Sequence, residues 1–160
     1  MSTIEYTTGD ATAPVGEGVK IIAHICNDIG SWGKGYVLAI SKRWSEPESS
    51  FKDWHRDETD FELGNIQIVQ VEDDLHVANM IGQHGIRKQK GVPPIRYEAV
   101  EQCLEKLAQR AKEMNASVHM LRIGCGLAGG EWEQIEPLIQ HTLCEAGISV
   151  TVYDFAPPTK

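Results

Sequence analysis

The sequence predicts an α/β fold, a three-layer α/β/α sandwich with a central mixed sheet. Short β-rich segments alternate along the chain with segments of helical periodicity. One β-rich segment, VKIIAHI at residues 19–25, is almost continuously apolar, as expected for a strand covered on both faces of a sheet. Glycine-rich segments directly follow two of the predicted strands, where the chain turns from a strand into a helix.

The first half of the chain is predicted to contain four strands and two helices. TIEYTTGD at residues 3–10 alternates and predicts the strand that precedes residues 19–25. GYVLAISKRW at residues 35–44 has near-helical apolar spacing, and the polar residues 46–60 predict a short amphipathic helix on the surface. Residues 65–82 predict two strands joined by an Asp-Asp turn, which is a β-hairpin.

The second half is predicted to contain two helices and two strands. Residues 94–115 form the clearest helix of the chain, because five apolar side chains recur on one face. SVHMLRIG at residues 117–124 predicts a strand, and residues 131–147 predict a long helix that ends at Gly147. ISVTVYDF at residues 148–155 predicts the last strand.

Length and composition are those of one soluble domain, predicted over residues 1–156 with a C-terminal tail at residues 157–160. The chain has 160 residues, of which 41% are hydrophobic and 24% charged. Its formal net charge of −8 argues against a general nucleic-acid binder, whose affinity depends on a basic surface. A small phosphorylated ligand remains compatible with this charge, because backbone amides can hold phosphate.

Targeting, metal and redox signals are absent from the sequence. No apolar run approaches the roughly 20 residues of a membrane span, and the N-terminus lacks the features of a secretory signal. The four cysteines show neither a CxxC pair nor zinc-ligand spacing, which is typical of reduced thiols in a cytoplasmic protein. We therefore expect a cytoplasmic monomer with no membrane partner, no metal and no cofactor.

The two glycine-rich segments are the candidate ligand site. The first is HICNDIGSWGKGYV at residues 24–37, and the second is GCGLAGG at residues 124–130. Glycine lets a ligand approach the main chain closely, and a helix N-terminus offers free N–H groups to an anion. Ligands of open α/β sheets bind at the carboxyl ends of strands, where both segments are predicted to lie. The segments therefore predict a cradle for a diphosphate, and the alternative is a pair of tight turns.

The two segments do not match the standard nucleotide motifs GxxxxGK[ST] and GxGxxG, which disfavours an ATPase or a dehydrogenase. The ordered set of motifs instead resembles the macrodomain family, whose members bind ADP-ribose. These motifs are GD after the first strand, NDIGSWGKG after the second, RIGCGLAGGEW after a late strand and VTVYDF at the end. The closest resemblance is to the branch of terminal ADP-ribose protein glycohydrolases and the yeast ADP-ribose 1''-phosphate phosphatase. The implied partner is ADP-ribose or an ADP-ribosylated molecule.

The resemblance implies a binding role for each matching residue. Asp10, next to Ala11, would accept a hydrogen bond from the adenine amino group, and Asn27 would meet the distal ribose. The alternative for Asp10 and Asn27 is an ordinary turn residue. Trp32 either closes over the ribose or packs in the core. The other implied ligand contacts come from the two glycine loops and the last strand: Gly33, Lys34, Gly35, Gly124, Cys125, Gly126, Leu127, Ala128, Tyr153 and Phe155.

Catalysis is predicted from two histidines together with Asn27. His24 matches a histidine of the yeast phosphatase, and an imidazole with a pKa suited to neutral pH can activate a water against a terminal phosphate. His84 is the second candidate base. The alternatives are a buried core histidine at position 24 and an ordinary polar loop residue at position 84. The thiol of Cys125, next to amides that can bind anions, is expected to have a lowered pKa.

The glycohydrolase mechanism of this branch is not expected. Its Asp position falls on Ala128, and its Lys position falls near Gln83 and His84, where no lysine aligns. Two functions remain open: hydrolysis of an ADP-ribose derivative, ADP-ribose 1''-phosphate foremost, and reading of ADP-ribose without catalysis. A third interpretation, outside the family, is a small α/β domain that serves protein–protein contact.

Overall fold

The computed structural model of the chain describes residues 3–33, 35–126 and 128–154. Within these ranges, the strands are β1 (Ile4–Thr8), β2 (Lys20–Asn27), β3 (Ile66–Glu72), β4 (Leu75–Gln83), β5 (Ser117–Met120) and β6 (Val150–Asp154). They form one sheet in the order β1-β6-β5-β2-β4-β3. Strand β3 pairs antiparallel with β4, and the other neighbouring strands pair in parallel. The predicted α/β fold with a mixed sheet is confirmed.

The helices follow the predicted order. They are α1 (Tyr36–Arg43), α2 (Glu46–Asp57), α3 (Tyr97–Met114) and α4 (Trp132–Ile139), and a π-helical turn (Gln140–Cys144) continues α4. Within the described ranges, none of these helices is both long enough and apolar enough to cross a membrane. The predicted domain boundary at residue 156 and the tail at residues 157–160 lie outside the described residues.

Strand β2 shows why helices cover both faces of the sheet. Ile21 and Ala23 belong to the core that contains α3 and α4, whereas Ile22 and Cys26 belong to a second core that contains α1 and α2. Side chains alternate between the two faces of a sheet along a strand. A strand that is apolar at nearly every position must therefore be covered on both faces, and this gives the three layers.

The strand predicted over residues 117–124 is shorter than expected. Strand β5 ends at Met120. Beyond it, the Arg122 side chain pairs with Asp154 at the end of β6, with 2.8 Å between Arg122 Nε and Asp154 Oδ1. The residues after Met120 therefore lie at the carboxyl-end edge of the sheet instead of extending the strand.

The last predicted helix, residues 131–147, changes its geometry part-way. The Thr142 hydroxyl donates to the Leu138 carbonyl over 2.7 Å, in competition with the backbone N–H groups of the helix. The chain widens there into the π-helical turn, in which the Glu145 amide bonds the Gln140 carbonyl over 3.0 Å. Gly147, at φ +82°, ends the helix as predicted.

Parallel pairing brings the two glycine-rich segments together. Strand β2 lies between β5 and β4 and is parallel to both, so the carboxyl ends of these three strands meet at one edge of the sheet. The first glycine segment leaves β2 at this edge, and the second follows the neighbouring β5. The fold therefore places the two segments side by side, as expected for a site at strand ends.

Candidate functional site

A cleft of about 450 Å³ opens at this edge, between the segments that follow β2 and β5. Its volume lies within the range of about 300–1,000 Å³ that small-molecule sites occupy. Predicted site residues from both segments and from the last strand line it: His24, Gly35, Gly124, Cys125, Gly126, Ala128 and Tyr153. The cleft is thus lined by residues that the sequence predicted as ligand contacts.

Asn27 organises the first glycine loop from the end of β2. Its Oδ1 accepts hydrogen bonds from the amides of Ile29 (3.1 Å) and Ser31 (2.9 Å), and its Nδ2 donates to the Ser31 carbonyl (2.8 Å). The loop therefore wraps around the buried Asn27 side chain, which is the turn role that the sequence left open. Both lone pairs of Oδ1 are used, so any ligand contact of this side chain must come from Nδ2.

Trp32 packs beneath the first glycine loop. Its indole is buried, its ring centroid lies 5.5 Å from that of Phe51, and its Nε1 donates to Ser41 Oγ over 2.7 Å. Of the two positions left open by the sequence, Trp32 occupies the core, and it does not line the cleft. Gly33 also lies outside the cleft lining, and Lys34 lies outside the described residues.

The second glycine loop closes through its own backbone. The Gly130 amide donates to the Gly124 carbonyl (2.8 Å), and the Gly129 amide donates to the Gly126 carbonyl (3.1 Å). A Cβ on Gly130 would lie 2.4 Å from the Gly124 oxygen, so this closure requires glycine. Gly126 differs, because among the described residues, its chain neighbours aside, a Cβ there would meet no atom within 4 Å. The backbone of Gly126 therefore borders open space in the cleft without a side chain in between.

Cys125 lines the cleft from the same loop, with its thiol 3.4 Å from the Ile123 carbonyl. Burial raises the pKa of the Cys125 thiol, and the nearby Arg122 only partly opposes this effect. The lowered pKa predicted from the sequence is therefore wrong, because removal from water outweighs the stabilisation of the thiolate. Leu127, two residues on, lies outside the described residues.

His24 faces the cleft from β2, but its imidazole belongs to a buried polar network. His24 Nε2 lies 2.6 Å from Asn79 Oδ1. The Asn79 Nδ2 donates to Gln67 Oε1 (3.0 Å) and to the Pro47 carbonyl (3.1 Å), which turns Oδ1 towards His24. His24 Nε2 therefore carries the proton, and Nδ1 is the acceptor nitrogen.

Burial lowers the pKa of His24 to about 4, and the hydrogen bond to Asn79 offsets only part of this effect. The neutral-range pKa predicted for His24 is therefore wrong, and the imidazole is a weak base. The rings of Trp32 and Tyr36 pack edge-on against it, with centroids at 5.4 Å and 6.1 Å. His24 is therefore a buried core histidine, which is the alternative that the sequence left open. Its catalytic role stays a prediction.

Tyr153 holds the N-terminal loop, residues 9–19 between β1 and β2, against the sheet. Its hydroxyl accepts a hydrogen bond from the Val15 amide (3.0 Å) and lies 2.7 Å from His119 Nδ1. The other ring nitrogen of His119 lies 2.8 Å from Ser117 Oγ. This chain of contacts holds the residues after β1 against the cleft wall that Tyr153 provides. The second aromatic candidate, Phe155, lies outside the described residues.

Asp10 forms a turn at the start of the N-terminal loop. Its Oδ1 accepts hydrogen bonds from the Thr12 amide (2.8 Å) and the Thr12 hydroxyl (2.6 Å), and these bonds lower the pKa of Asp10. Ala11 is buried next to it. Neither residue is part of the cleft lining, and the second carboxylate oxygen of Asp10 is not engaged by Thr12.

Tyr36, the first residue of α1, lines the cleft. Its hydroxyl is buried and has no hydrogen-bond partner in the part of the chain that the structure describes. Burial raises the pKa of Tyr36, and the Asp10 carboxylate raises it further, so the hydroxyl stays protonated. A buried hydroxyl without a partner costs about 1–3 kcal/mol.

His84 forms a pair with Asp28 next to the cleft. His84 Nδ1 lies 2.7 Å from Asp28 Oδ2, and the Gly85 amide donates to Asp28 Oδ1 over 2.8 Å. The His84 side chain is 47% exposed, whereas Asp28 is 17% exposed. The pair directly follows Asn27 on one loop and Gln83 on the other, and Gln83 lines the cleft.

Solved structures that share more than half of their residues with this chain also share its fold. A Bacteroides thetaiotaomicron protein of unknown function is 58% identical, with a TM-score of 0.95 over 96% of this chain and 98% of that one. A macrodomain protein from Streptomyces coelicolor is 56% identical, with a TM-score of 0.85 over 96% of this chain and 99% of that one. The chain belongs to the macrodomain family.

More distant relatives of this macrodomain include proteins whose names state an activity or a ligand. The chromodomain-helicase-DNA-binding protein 1-like of Danio rerio is 33% identical over 94% of this chain, which spans 15% of that protein's length. An ADP-ribose 1''-phosphate phosphatase of Lodderomyces elongisporus is 23% identical over 86% of this chain and 91% of its own. Thermosipho africanus DarTG, solved in complex with ADP-ribose, has the same fold at 18% identity, with a TM-score of 0.71 over 89% of this chain and 39% of its own. No protein-family model matches the chain.

The cleft of the macrodomain also contains residues that the sequence did not single out. They are Ile25, Tyr36, Val37, Gln83, Leu121, Arg122, Ile123 and Asp154. Arg122 lies two residues before the second glycine loop, and this proximity was a usable signal. Its two hydrogen bonds to Asp154, at 2.8 Å and 3.1 Å, depend on the sheet. Among the described residues, no group of three or more His, Cys, Asp or Glu is placed to hold a metal ion.

Proposed function

We propose that this macrodomain binds ADP-ribose in the cleft. The observation that carries the proposal is the juxtaposition of two glycine loops at the carboxyl ends of the neighbouring strands β2 and β5. Loop amides and the N-terminus of α1 can hold a diphosphate without a cationic side chain. This suits a chain of net charge −8 in which Arg122 is already paired with Asp154. The ADP-ribose complex of DarTG, which has the same fold, supports the choice of ligand.

The polar groups around the cleft suit the two ends of ADP-ribose differently. The adenosine half would lie towards Tyr153 and Asp10, whose second carboxylate oxygen can accept a bond from the adenine amino group. The Tyr36 hydroxyl, buried and without a described partner, can donate to an oxygen of the ligand. The distal ribose would lie towards Asn27 and Gln83, where Asn27 Nδ2 retains a donor.

Calorimetric titration with ADP-ribose, ADP and AMP tests the proposal. We expect wild-type protein to bind ADP-ribose with micromolar affinity, about −8 kcal/mol, and to bind AMP more weakly. Gly126→Val places a side chain in open cleft space, so the affinity should fall at least about tenfold while the free energy of unfolding changes little. Ser149→Val, an exposed residue just before β6 at the opposite end of the strands, is the matched control.

Two results would contradict the binding proposal. One is a folded wild-type protein that shows no heat of binding with ADP-ribose. The other is a Gly126→Val variant that binds ADP-ribose as tightly as the Ser149→Val control, because the second glycine loop would then not contact the ligand.

Hydrolysis of ADP-ribose 1''-phosphate is a second candidate function. It is favoured by the similarity to the fungal ADP-ribose 1''-phosphate phosphatase and by the His84–Asp28 pair next to the cleft. Phosphate release from ADP-ribose 1''-phosphate, followed by NMR, distinguishes the two functions. A reader of ADP-ribose would bind the nucleotide and release no phosphate.

A further inference from the structure

We propose that residues 84–95, the basic hairpin, form a docking surface for an acidic peptide segment of an ADP-ribosylated protein. The inference rests on the proposed binding of ADP-ribose, because the bound nucleotide would bring its carrier to this surface. The hairpin directly follows β4, whose last residue, Gln83, lines the cleft.

The basic hairpin has a charge opposite to that of the whole chain. Residues 75–97 are the longest stretch of the sequence without Asp or Glu, and the hairpin contributes Arg87, Lys88 and Lys90 to it. All three residues are exposed. Among the described residues, none of the ion pairs involves their side chains. The hairpin is therefore a cationic surface on a chain of formal net charge −8.

Backbone contacts give the tip of the hairpin a defined shape. Gln89 and Val92 exchange two backbone hydrogen bonds, each of 2.9 Å, around a two-residue turn. The turn residues Lys90 and Gly91 have φ of +51° and +79°, and two-residue hairpin turns favour positive φ at both positions. The backbone that carries the cations is thus ordered before a partner binds, which lowers the entropy cost of docking.

The base of the hairpin is attached to the cleft. The His84 amide donates to the Pro94 carbonyl over 2.8 Å, and the Gln83 side chain donates to the Gly85 carbonyl over 2.9 Å. The distal ribose of ADP-ribose would lie towards Asn27 and Gln83, and an ADP-ribosyl group is joined to its carrier through that ribose. A carrier would therefore leave the cleft beside the basic hairpin.

A largely apolar groove of about 620 Å³ adjoins the hairpin. Val92 and Pro93 of the hairpin line it, together with Leu63 and Ala99. Val92 is 51% exposed, and Ile86 on the same hairpin is 47% exposed. A peptide with one apolar side chain among its carboxylates can place the apolar group in the groove and the carboxylates on the cations.

A nucleic acid suits this surface less well than an acidic peptide does. Single strands bind through aromatic stacking as well as through cations, and residues 84–95 contain no Phe, Tyr or Trp. A long strand would also carry its phosphates past a protein of net charge −8. A short acidic peptide contacts the hairpin alone, so charge complementarity favours the peptide.

The test compares two synthetic peptides that carry the same ADP-ribosyl group on a central serine. One peptide surrounds the serine with Asp, Glu and a single Leu, and the other replaces each acid by its amide. Calorimetry measures both peptides and free ADP-ribose against wild type and two variants. The hairpin variant combines Arg87→Gln, Lys88→Gln and Lys90→Gln. The control variant, which removes the same charge from exposed positions of α2 and α3, combines Lys52→Gln, Arg110→Gln and Lys112→Gln.

We expect wild type and the control variant to bind the acidic peptide about tenfold more tightly than the amide peptide, because exposed ion pairs are individually weak. The hairpin variant should bind the two peptides equally and should bind free ADP-ribose as tightly as wild type. The preference of wild type should disappear in about 1 M salt, because exposed charges are then screened.

Several results would overturn the docking surface. Equal affinity of wild type for the two peptides removes it and leaves the binding of ADP-ribose standing, and a preference that persists in the hairpin variant removes it as well. An oligothymidine strand that displaces the acidic peptide from wild type would assign the surface to nucleic acid. A wild-type dimer in sedimentation that the hairpin variant dissociates would assign it to a second copy. Absence of ADP-ribose binding by folded protein removes the proposed function and the docking surface together, so the two failures are distinguishable.

Discussion

At the scale of single residues, two tyrosines that line the cleft have opposite hydrogen-bonding states. The Tyr153 hydroxyl is bonded to the Val15 amide and lies 2.7 Å from His119 Nδ1. The Tyr36 hydroxyl is equally hidden from water, but within the described residues it has no partner. The same chemical deletion, Tyr→Phe, should therefore have opposite effects on stability at the two positions.

We expect Tyr153→Phe to lower the free energy of unfolding by about 1–3 kcal/mol, because the Val15 amide and His119 Nδ1 each lose a partner. Tyr36→Phe should leave it unchanged or raise it by up to about 1 kcal/mol, because an unsatisfied hydroxyl is removed. Urea unfolding of both variants checks the prediction. Equal destabilisation by both substitutions would show that the Tyr36 hydroxyl is satisfied in the protein.

At the scale of elements, the second glycine loop is closed by a hydrogen bond between its ends and has open space at Gly126. The Gly130 amide and the Gly124 carbonyl close the loop over 2.8 Å, and no Cβ fits between them. Gly126 does not have the left-handed φ of Gly124 and Gly129, and among the described residues beyond its chain neighbours nothing lies within 4 Å of where its Cβ would be. The loop can therefore present backbone amides to a ligand while its shape is fixed by its ends.

Alanine substitutions should distinguish the glycine that closure of this loop requires from the glycine that only borders open space. Gly130→Ala should lower the free energy of unfolding by about 1–3 kcal/mol, because its methyl group collides with the Gly124 carbonyl. Gly126→Ala should change it by no more than about 0.5 kcal/mol. Thermal unfolding measures both effects. If Gly130→Ala were as stable as Gly126→Ala, the loop would not be closed in this way.

At the scale of the whole molecule, two buried histidines make folding sensitive to acid. Burial lowers the pKa of both His24 and His119 to about 4. The unfolded chain binds protons at these residues below about pH 6.5, whereas the folded chain does not until near pH 4. The contribution of these two histidines to the free energy of unfolding is complete above about pH 6.5 and is lost as the pH falls from there to about 4.

The predicted loss is about 3 kcal/mol for each histidine between these pH values. Unfolding free energies measured by urea titration from pH 7 to pH 4 should therefore fall more steeply for wild-type protein than for His24→Gln. The slope with pH is the readout, because the substitution also changes stability at neutral pH. His55→Gln replaces an exposed histidine and serves as the control. Identical slopes for wild type and His24→Gln would contradict the lowered pKa of His24 in the folded protein.

The sequence by itself determined the strands and helices, the mixed sheet and the edge that carries the cleft. These features follow from local signals: the apolar run of β2 requires cover on both faces, and strand-to-helix turns with glycine mark the carboxyl ends of strands. The same signals identified the second glycine loop and Gly35 as lining residues, whereas Tyr153 was implied by the resemblance to the macrodomain family. They extended β5 too far, because the pairing of Arg122 with Asp154 has no local signature.

Only the tertiary structure decided what the polar side chains do. His24 has a depressed pKa because Asn79, 55 residues away, and the surrounding core enclose it. Asp28 orients His84 across 56 positions, and Tyr153 holds Val15 across 138. A residue's type and its neighbours in sequence specify the turn or strand that it occupies. Its protonation, its burial and its partner depend on which distant strand lies alongside, and that is set by packing of the whole sheet.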